Sequence, residues 1–147
     1  AKEIPYLGVC FGHQMLAEAL GGKVRKEDSG WCVGIHRFEL QEQASWMSPY
    51  QPSLNLLMMC QDQVQELPPD SKVLASAPTC PVGMFQVGER MLGVQAHPEF
   101  SKTYDRVLME NRMERMGTAV VQAGIDSLAL PLDAELFCQW STQFLSR

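Results

Sequence analysis

The chain has 147 residues, of which 46% are hydrophobic, and its formal net charge at pH 7 is −5. This length and composition suit a single domain with a packed core, and the negative charge argues against nucleic acid or an anionic membrane as a partner. No run of 18 apolar residues, such as a membrane-spanning helix needs, is present in the sequence.

The cysteine pattern bears on both compartment and metal binding. Five cysteines stand at positions 10, 32, 60, 80 and 138, an odd number with wide spacing and no C-x-x-C motif. This pattern is typical of reduced thiols rather than of a disulfide framework or a zinc site. We therefore expect a cytoplasmic protein without a metal site.

The first predicted element is a short buried strand at residues 4–7, followed by residues 8–14 with the sequence GVCFGHQ. A run of helix formers at 14–20 comes next, and two glycines at positions 21 and 22 end it. Cys10 thus lies at a strand-to-helix turn, with a glycine two residues away on each side. This is the form of a nucleophile elbow.

The elbow predicts a reactive thiol. A cysteine at a helix N-terminus faces unpaired N–H groups and the positive end of the helix dipole, and both favour the thiolate. We therefore expect Cys10 to be the most readily alkylated of the five thiols. The alternative is that Cys10 is a small buried hydrophobic residue, as most free cysteines are, and the elbow by itself leaves both interpretations open.

The middle of the chain is predicted to be strand-rich. Alternating or continuous apolar residues predict strands at 31–40, 54–60 and 72–77. Serines and prolines predict a loop at 41–53, and two prolines predict a break at 78–81.

Two chemically interesting side chains lie in these strands. His36 has no evident partner nearby in the sequence, so a structural or surface role is favoured over a catalytic one. Cys60 could be a second reactive thiol, although a buried packing role is favoured.

Residues 82–87 and 91–95 flank a three-residue turn with a glycine at its start, which predicts a β-hairpin. The second of these strands leads to His97. Because Pro98 cannot donate to a strand ladder, pairing is expected to end there. His97 is therefore predicted at a strand end, where α/β sheets place their functional sites.

A thiol nucleophile needs a base, and the base needs an acceptor that orients it. His97 can serve Cys10 as the base. Glu99 can orient His97, since residues i and i+2 of an extended segment point the same way. His13 is the rival base, but a side chain on the first turn after the elbow is expected to point into the packing beneath it.

The end of the chain is predicted to be helical. Ser101 is expected to cap a helix over 102–116 that Gly117 closes, a loop is predicted over 117–132, and Asp133 is expected to cap a final helix. Within that loop, residues 119–121 could extend the preceding helix. Apolar side chains recur along the final helix at three- and four-residue spacing: Leu136, Phe137, Trp140 and Phe144. Such a stripe predicts a core face.

Taken together, two motifs resemble the class I (triad) glutamine amidotransferases. The sequence GVCFGHQ at 8–14 fits the G-x-C-x-G-x-Q elbow of that family, and HPE at 97–99 fits the end of its triad. The sequence between these motifs, including residues 21–24 and 62–68, looks most like the GMP-synthase-like, stand-alone branch of that family. One departure is Cys60, which stands where the family usually has a histidine; this bears on the substrate rather than on the triad.

The resemblance implies an α/β fold of flavodoxin type, a three-layer sandwich with a mainly parallel central sheet. In the family, the elbow follows a βαβ portion whose glycine-rich loop serves the oxyanion hole, and nothing in these 147 residues matches it. We therefore expect residues 1–147 to be one glutamine amidotransferase-like domain, specifically its C-terminal part, with the N-terminal portion missing.

The resemblance also implies a set of site residues. Cys10, His97 and Glu99 would form the catalytic triad. The backbone N–H of Phe11, the residue after the nucleophile, would donate to the oxyanion. Three further residues would contact the substrate: Gln14, Gln61 and Asp62. Neither a cofactor nor a metal is implied.

The implied activity is hydrolysis of the side-chain amide of glutamine to glutamate and ammonia through a cysteinyl thioester. One alternative is a γ-glutamyl peptidase or hydrolase with the same triad, and another is a non-catalytic, amidotransferase-like interaction domain. The substrate would be a small molecule, glutamine or a γ-glutamyl compound. No ATP-pyrophosphatase P-loop motif is present, so a synthetase or acceptor partner would be a separate protein.

Overall fold

The computed structural model describes residues 4–147. In chain order, its elements are β1 (Tyr6–Val9), α1 (Phe11–Ala19), β2 (Lys23–Lys26), β3 (Cys32–Leu40), β4 (Ser53–Cys60), β5 (Asp62–Glu66), β6 (Ser71–Ala77), β7 (Cys80–Val87), β8 (Met91–Val94), α2 (Lys102–Asn111), α3 (Met113–Met116), α4 (Thr118–Ser127) and α5 (Ala134–Leu145). The strands predicted at 31–40, 54–60 and 72–77 and the β7–β8 hairpin are confirmed, whereas the first strand lies two residues later than predicted and is only partly buried. The predicted break at 78–81 is shorter than expected, because β7 already begins at Cys80.

The main sheet contains six strands in the order β1-β8-β7-β6-β3-β4, while β2 and β5 pair separately as an antiparallel ribbon. Within residues 4–147 only β1 and β8 run parallel, and the other neighbours are antiparallel. The prediction of a mainly parallel sheet is therefore wrong for this part of the chain, where the sheet is mixed and mostly antiparallel. The cause is that β6, β7 and β8 follow one another through turns of two and three residues. Such short turns allow only antiparallel pairing, whereas a parallel pair needs a long crossover.

Helices cover both faces of this sheet, which confirms the α/β class. Successive side chains of a strand point to opposite faces, and β7 shows the consequence. Phe85 packs in a cluster with Leu16 of α1, whereas the adjacent Met84 belongs to the larger core cluster that contains Phe137 and Trp140 of α5.

The final helix buries its aromatic stripe as predicted. Phe137, Trp140 and Phe144 are almost completely buried, and burying each such side chain stabilises the fold by roughly 1.5–3 kcal/mol. The expected role of Asp133 as a helix cap is wrong, because its side chain makes no hydrogen bond to the helix. Its Oδ2 instead accepts the backbone N–H of Asn55 at 2.7 Å, which ties the start of α5 to β4.

The region after the hairpin contains more helix than predicted. Ser101 does cap α2, since its hydroxyl accepts the N–H of Tyr104 at 3.1 Å. Gly117, however, has a φ of +95° and separates α3 from α4, so the predicted loop 117–132 is mostly helical. Gly124 lies inside α4, where a Cβ would come within 2.5 Å of the Met109 sulfur. This glycine serves close packing, although in the sequence it is typical of a loop.

Candidate active site

Cys10 occupies the junction between β1 and α1. It has a φ of +49° and a ψ of −99°, a region that non-glycine residues adopt rarely and that concentrates at functional sites. Its N–H donates to the carbonyl of Val94 at 2.9 Å, which fixes the turn to the neighbouring strand β8. The nucleophile elbow predicted from the sequence is therefore present as a strained strand-to-helix turn.

The flanking glycines allow this turn to close. A Cβ on Gly8 would lie 2.4 Å from the carbonyl oxygen of Gly12, so only glycine lets β1 approach the first turn of α1. The hydroxyl of Tyr6 donates to the same Gly12 oxygen at 3.0 Å. Close backbone packing at Gly8 and the Tyr6 hydroxyl thus hold the first turn of α1 against β1.

The electrostatics at Cys10 differ from the expected thiolate. Burial raises the pKa of its thiol, and the charge of Glu99 raises it further. The N–H of Phe11 and the side-chain amide of Gln95, whose Nε2 lies 3.6 Å from the sulfur, oppose this without outweighing it. The Cys10 thiol is therefore protonated at neutral pH in this state of the protein.

His97 and Glu99 form a close pair. The Nδ1 of His97 lies 2.6 Å from Oε1 of Glu99, and the backbone N–H of His97 donates to Leu57 at 2.8 Å. The imidazole also stacks on Phe100, with 4.0 Å between ring centroids and 10° between planes. With Nδ1 directed at the carboxylate, Nε2 is the ring nitrogen available to other groups.

The structure brings two of the three predicted triad residues into contact. Val9 and Val94 are partners in the β1–β8 ladder, and His97 follows three residues after Val94. Within the described residues, no hydrogen bond joins the Cys10 sulfur to the His97 ring. Such contacts are often long in the absence of substrate and tighten in the complex.

His13 lies in the packing beneath the elbow, as expected. It is fully buried and meets Phe85 edge-on, with 4.9 Å between ring centroids. Burial lowers the pKa of His13 to about 4. A Cβ on Gly93 would come within 2.8 Å of its Nδ1, so a glycine in β8 makes room for the ring.

A cavity of about 500 Å³ opens beside Cys10, and the predicted oxyanion donor and the three predicted substrate contacts all line it: Phe11, Gln14, Gln61 and Asp62. Gln14 is already engaged, since its amide donates to the carbonyl of Asp62 at 2.8 Å and to Oε1 of Gln95 at 3.3 Å. Neither His97 nor Glu99 is among the residues that line this cavity.

Sequence reasoning missed the cationic part of this cavity wall. Lys26, Arg112 and Arg115 also line the cavity, together with Trp31. The Arg115 guanidinium lies 5.2 Å from the centroid of the Trp31 ring, a cation–π arrangement that holds this charge in place. None of the three cations makes a salt bridge to another residue of 4–147.

The part of the chain that the structure describes contains no group of three or more His, Cys, Asp or Glu side chains placed to hold a metal ion. None of its helices combines the length and the apolar character needed to cross a membrane.

Comparison with known proteins gives concordant results. The family model described as "Glutamine amidotransferase class-I" matches residues 1–116. Gamma-glutamyl peptidase 3 of Arabidopsis thaliana is 33% identical over 120 residues, which cover 74% of this chain and 48% of that protein. One subunit of the glutamine-hydrolyzing GMP synthase of Pyrococcus abyssi is 36% identical over 101 residues, which cover 68% of this chain and 53% of that protein. The chain spans about half the length of these curated relatives.

Solved structures show the same fold. A glutamine amidotransferase from Thermotoga maritima matches with a TM-score of 0.77 at 20% identity, covering 99% of this chain and 64% of that one. A glutamine amidotransferase from Methylobacillus flagellatus matches with a TM-score of 0.69 at 18% identity, covering 95% and 63%. The family model covers most of the sequence, and the curated relatives exceed 30% identity over two thirds of it. The chain belongs to the class I glutamine amidotransferase family.

Proposed function

We propose that this chain hydrolyses a γ-glutamyl amide bond, with Cys10 as nucleophile, His97 as general acid and base, and Glu99 as the carboxylate that orients His97. The observation that carries the proposal is the strained backbone of Cys10 at the elbow. This strain holds the thiol beside the strand whose end leads to the His97–Glu99 pair. Strain of this kind persists only where the surrounding structure enforces it.

The first half of the reaction forms a thioester. Because burial and Glu99 raise the pKa of the Cys10 thiol, its proton passes to Nε2 of His97 as the sulfur attacks the amide carbon. The resulting oxyanion is stabilised by the N–H of Phe11. His97 then protonates the departing amine, and a γ-glutamyl thioester remains on Cys10.

The second half hydrolyses the thioester. His97 takes a proton from water, the hydroxide attacks the acyl carbon, and the Cys10 sulfur leaves and recovers its proton. Glu99 keeps Nδ1 of His97 protonated and stabilises the imidazolium in both halves. The 2.6 Å contact between these two side chains supports that role.

Glutamine is the first candidate substrate, and the products would then be glutamate and ammonia. The family membership supports it, as does the relative that is named as part of a glutamine-hydrolyzing GMP synthase. We propose on the same ground that ammonia passes to an acceptor or synthetase on another polypeptide. The five free thiols support the proposed cytoplasmic location.

A γ-glutamyl peptide is the second candidate, and the cationic wall of the Cys10 cavity favours it. Lys26, Arg112 and Arg115 line this cavity in a chain whose net charge is −5. A peptide released from a γ-glutamyl group carries a carboxylate beyond the scissile bond, whereas the ammonia released from glutamine carries none. The relatives named gamma-glutamyl peptidases support this alternative.

The test is a substrate panel with the full-length protein that contains this chain. Glutamine, a γ-glutamyl dipeptide and the same dipeptide with an amidated C-terminus are compared by the release of glutamate, and ammonia is followed in parallel. Release that disappears in Cys10→Ser supports the proposal, and preference for the free-acid dipeptide selects the second candidate. Absence of glutamate from every substrate would instead favour a non-catalytic interaction domain.

A further inference from the structure

A second cavity, of about 290 Å³, adjoins the one at Cys10 and has no part in the proposed reaction. Cys32, His36 and Thr79 line one side of it, and residues of α4 line the other. Trp31 borders both cavities. The second cavity therefore has its own thiol and its own imidazole.

The Cys32 thiol and the His36 imidazole are in direct contact. The sulfur lies 3.6 Å from Nε2 and 3.9 Å from Nδ1 of the ring. Nε2 is also 2.9 Å from the carbonyl of Val33, and Nδ1 is 2.8 Å from the hydroxyl of Thr79. A carbonyl only accepts and a hydroxyl can accept, so this environment accommodates a ring protonated on both nitrogens.

The sequence-based view that His36 lacks a nearby partner is thus wrong, and the backbone explains why. In a regular strand, residues four apart are separated by about 13 Å. At Gly34, β3 departs from that geometry with a φ of +78°. Across this point the His36 ring folds back to the Val33 carbonyl and to the Cys32 sulfur.

The hydrogen bonds and the charge around Cys32 favour its thiolate. The hydrogen bond with Cys60 is the largest effect, and with the hydrogen bond and charge of His36 it outweighs burial and lowers the pKa of Cys32. Burial lowers the pKa of His36, but its contact with Cys32 and the nearby charge of Asp105 raise it overall. Burial and the Cys32 charge raise the pKa of Cys80, the other thiol nearby.

Cys60 stands directly opposite Cys32 in the antiparallel β3–β4 ladder. Directly opposed residues in such a ladder have Cα atoms about 4.5–5.5 Å apart, which is within the range that a disulfide spans. Cys60 also lines the Cys10 cavity. A bond between these two sulfurs would therefore connect the two cavities.

We propose that Cys32 is a second reactive thiol, the first on this chain to be oxidised by a peroxide, and that it then forms a disulfide with Cys60 at the wall of the Cys10 cavity. The Cys32 thiolate attacks hydrogen peroxide, the O–O bond breaks, and a sulfenic acid forms as hydroxide leaves and takes a proton to become water. The Cys60 sulfur then attacks the Cys32 sulfur, the S–O bond breaks, and a second water leaves. Two thiols lose two electrons and two protons, and one peroxide becomes two waters.

The second step is helped by the first. The pKa of the Cys60 thiol is raised chiefly by its hydrogen bond to Cys32, and also by burial and by the Cys32 charge. Conversion of the thiolate to a neutral sulfenic acid removes that charge and weakens the hydrogen bond that the Cys60 thiol donates to the Cys32 sulfur. Cys60 then becomes easier to ionise at the moment when it is needed as a nucleophile.

The experiment treats the full-length protein with one equivalent of hydrogen peroxide, blocks the remaining thiols with N-ethylmaleimide, and maps the peptides by mass spectrometry. The expected first product is a peptide pair joined through Cys32 and Cys60, while Cys10 and Cys138 remain alkylated. Cys138→Ser is the matched control and should form the disulfide at an unchanged rate. In Cys60→Ser, a dimedone adduct should appear on Cys32.

The role of the imidazole is tested separately. His36→Asn should slow oxidation of Cys32 several-fold, because it removes the hydrogen bond and the charge of His36 while the hydrogen bond with Cys60 remains; Thr79→Val serves if that variant does not fold. Oxidation of Cys10 or Cys138 before Cys32 would overturn the proposal. So would an unchanged oxidation rate in a folded His36→Asn protein. None of these readouts depends on glutaminase or peptidase activity.

Discussion

The molecule contains two thiol–imidazole regions that are built in opposite ways. At the elbow, the pKa of Cys10 is raised by burial, and no hydrogen bond among residues 4–147 joins its sulfur to His97. In the neighbouring cavity, Cys32 contacts His36 directly, and its hydrogen bonds with Cys60 and His36 lower its pKa. A thiol whose pKa is raised is less reactive towards small oxidants, whereas a thiol whose pKa is lowered is more often ionised and reacts with them more readily.

The largest expected effect distinguishes the two thiols by turnover. Cys10→Ser should lower the rate of glutamate release by on the order of 10⁴ or more, as loss of a nucleophile does in other acyl-transfer enzymes. Cys32→Ser should leave the rate within about twofold, since Cys32 lines a cavity that the reaction does not use. Steady-state kinetics on purified, folded variants decide the matter. Equal losses in both variants would contradict the assignment.

The next effect distinguishes the imidazoles. His97→Asn removes the proposed general acid and base and should lower turnover by about 10²–10⁴, while His36→Asn should leave it nearly intact. His13→Asn should act through packing, with a lower melting temperature and partial activity, because its ring is fully buried against Phe85. A well-folded His13→Asn protein as inactive as His97→Asn would reopen the choice of base.

Alkylation as a function of pH tests the ionisation states. Because the pKa of Cys32 is lowered, chiefly by its hydrogen bond with Cys60, its rate with iodoacetamide should fall less between pH 8 and pH 6 than the rate of an ordinary thiol. The raised pKa of Cys10 predicts a rate that falls about tenfold per pH unit, since only the thiolate reacts. Peptide mapping of labelled protein measures both rates. For small reagents we therefore expect Cys32 to react before Cys10, which is the opposite of the order predicted from the elbow in the sequence.

A glutamine-like electrophile provides the complement to that test. A diazo-ketone analogue of glutamine should label Cys10 in preference to Cys32, because binding in the Cys10 cavity places its carbon beside the sulfur. Label found mainly on Cys32, Cys60 or Cys80 would contradict the assignment of Cys10 as nucleophile.

The smallest effect concerns the cationic wall. Arg112→Ala and Arg115→Ala should each raise the KM of an acidic γ-glutamyl dipeptide by up to about fivefold, because exposed ion pairs contribute at most about 1 kcal/mol. The KM of glutamine should change less, and the effect should shrink in high salt. Arg106→Ala is the control, since Arg106 pairs with Glu110 on α2 and does not line the cavity. An equal rise in KM in all three variants would show that the cationic wall does not determine specificity.

The parts of the site that could be predicted from sequence are those set by local spacing. Cys10 and its glycines lie within five residues, and His97 and Glu99 are two apart, so strand and turn geometry alone places them. The cationic wall joins Lys26 to Arg112 and Arg115 through tertiary packing, and no local pattern indicates it.

The second thiol site escaped prediction for a different reason. Cys32 and His36 are four residues apart, a spacing that brings side chains together in a helix but not in a strand. The two side chains meet because the backbone at Gly34 has a positive φ. A single glycine in a predicted strand does not reveal that conformation in the sequence. Similarly, Gly124 of α4 is typical of a loop in the sequence, and its close approach to the Met109 sulfur becomes visible only in the fold.

The position of Trp31 between the two cavities makes it a built-in optical probe. Trp46 and Trp140 are almost fully buried, while Trp31 is partly exposed and borders both cavities. A soluble collisional quencher should therefore act chiefly on the emission of Trp31. Its indole faces the Arg115 guanidinium on one side and shares a cavity with Cys32 and His36. Ligand entry at one cavity and thiol oxidation at the other should both change the same fluorescence signal, without any label attached to the protein.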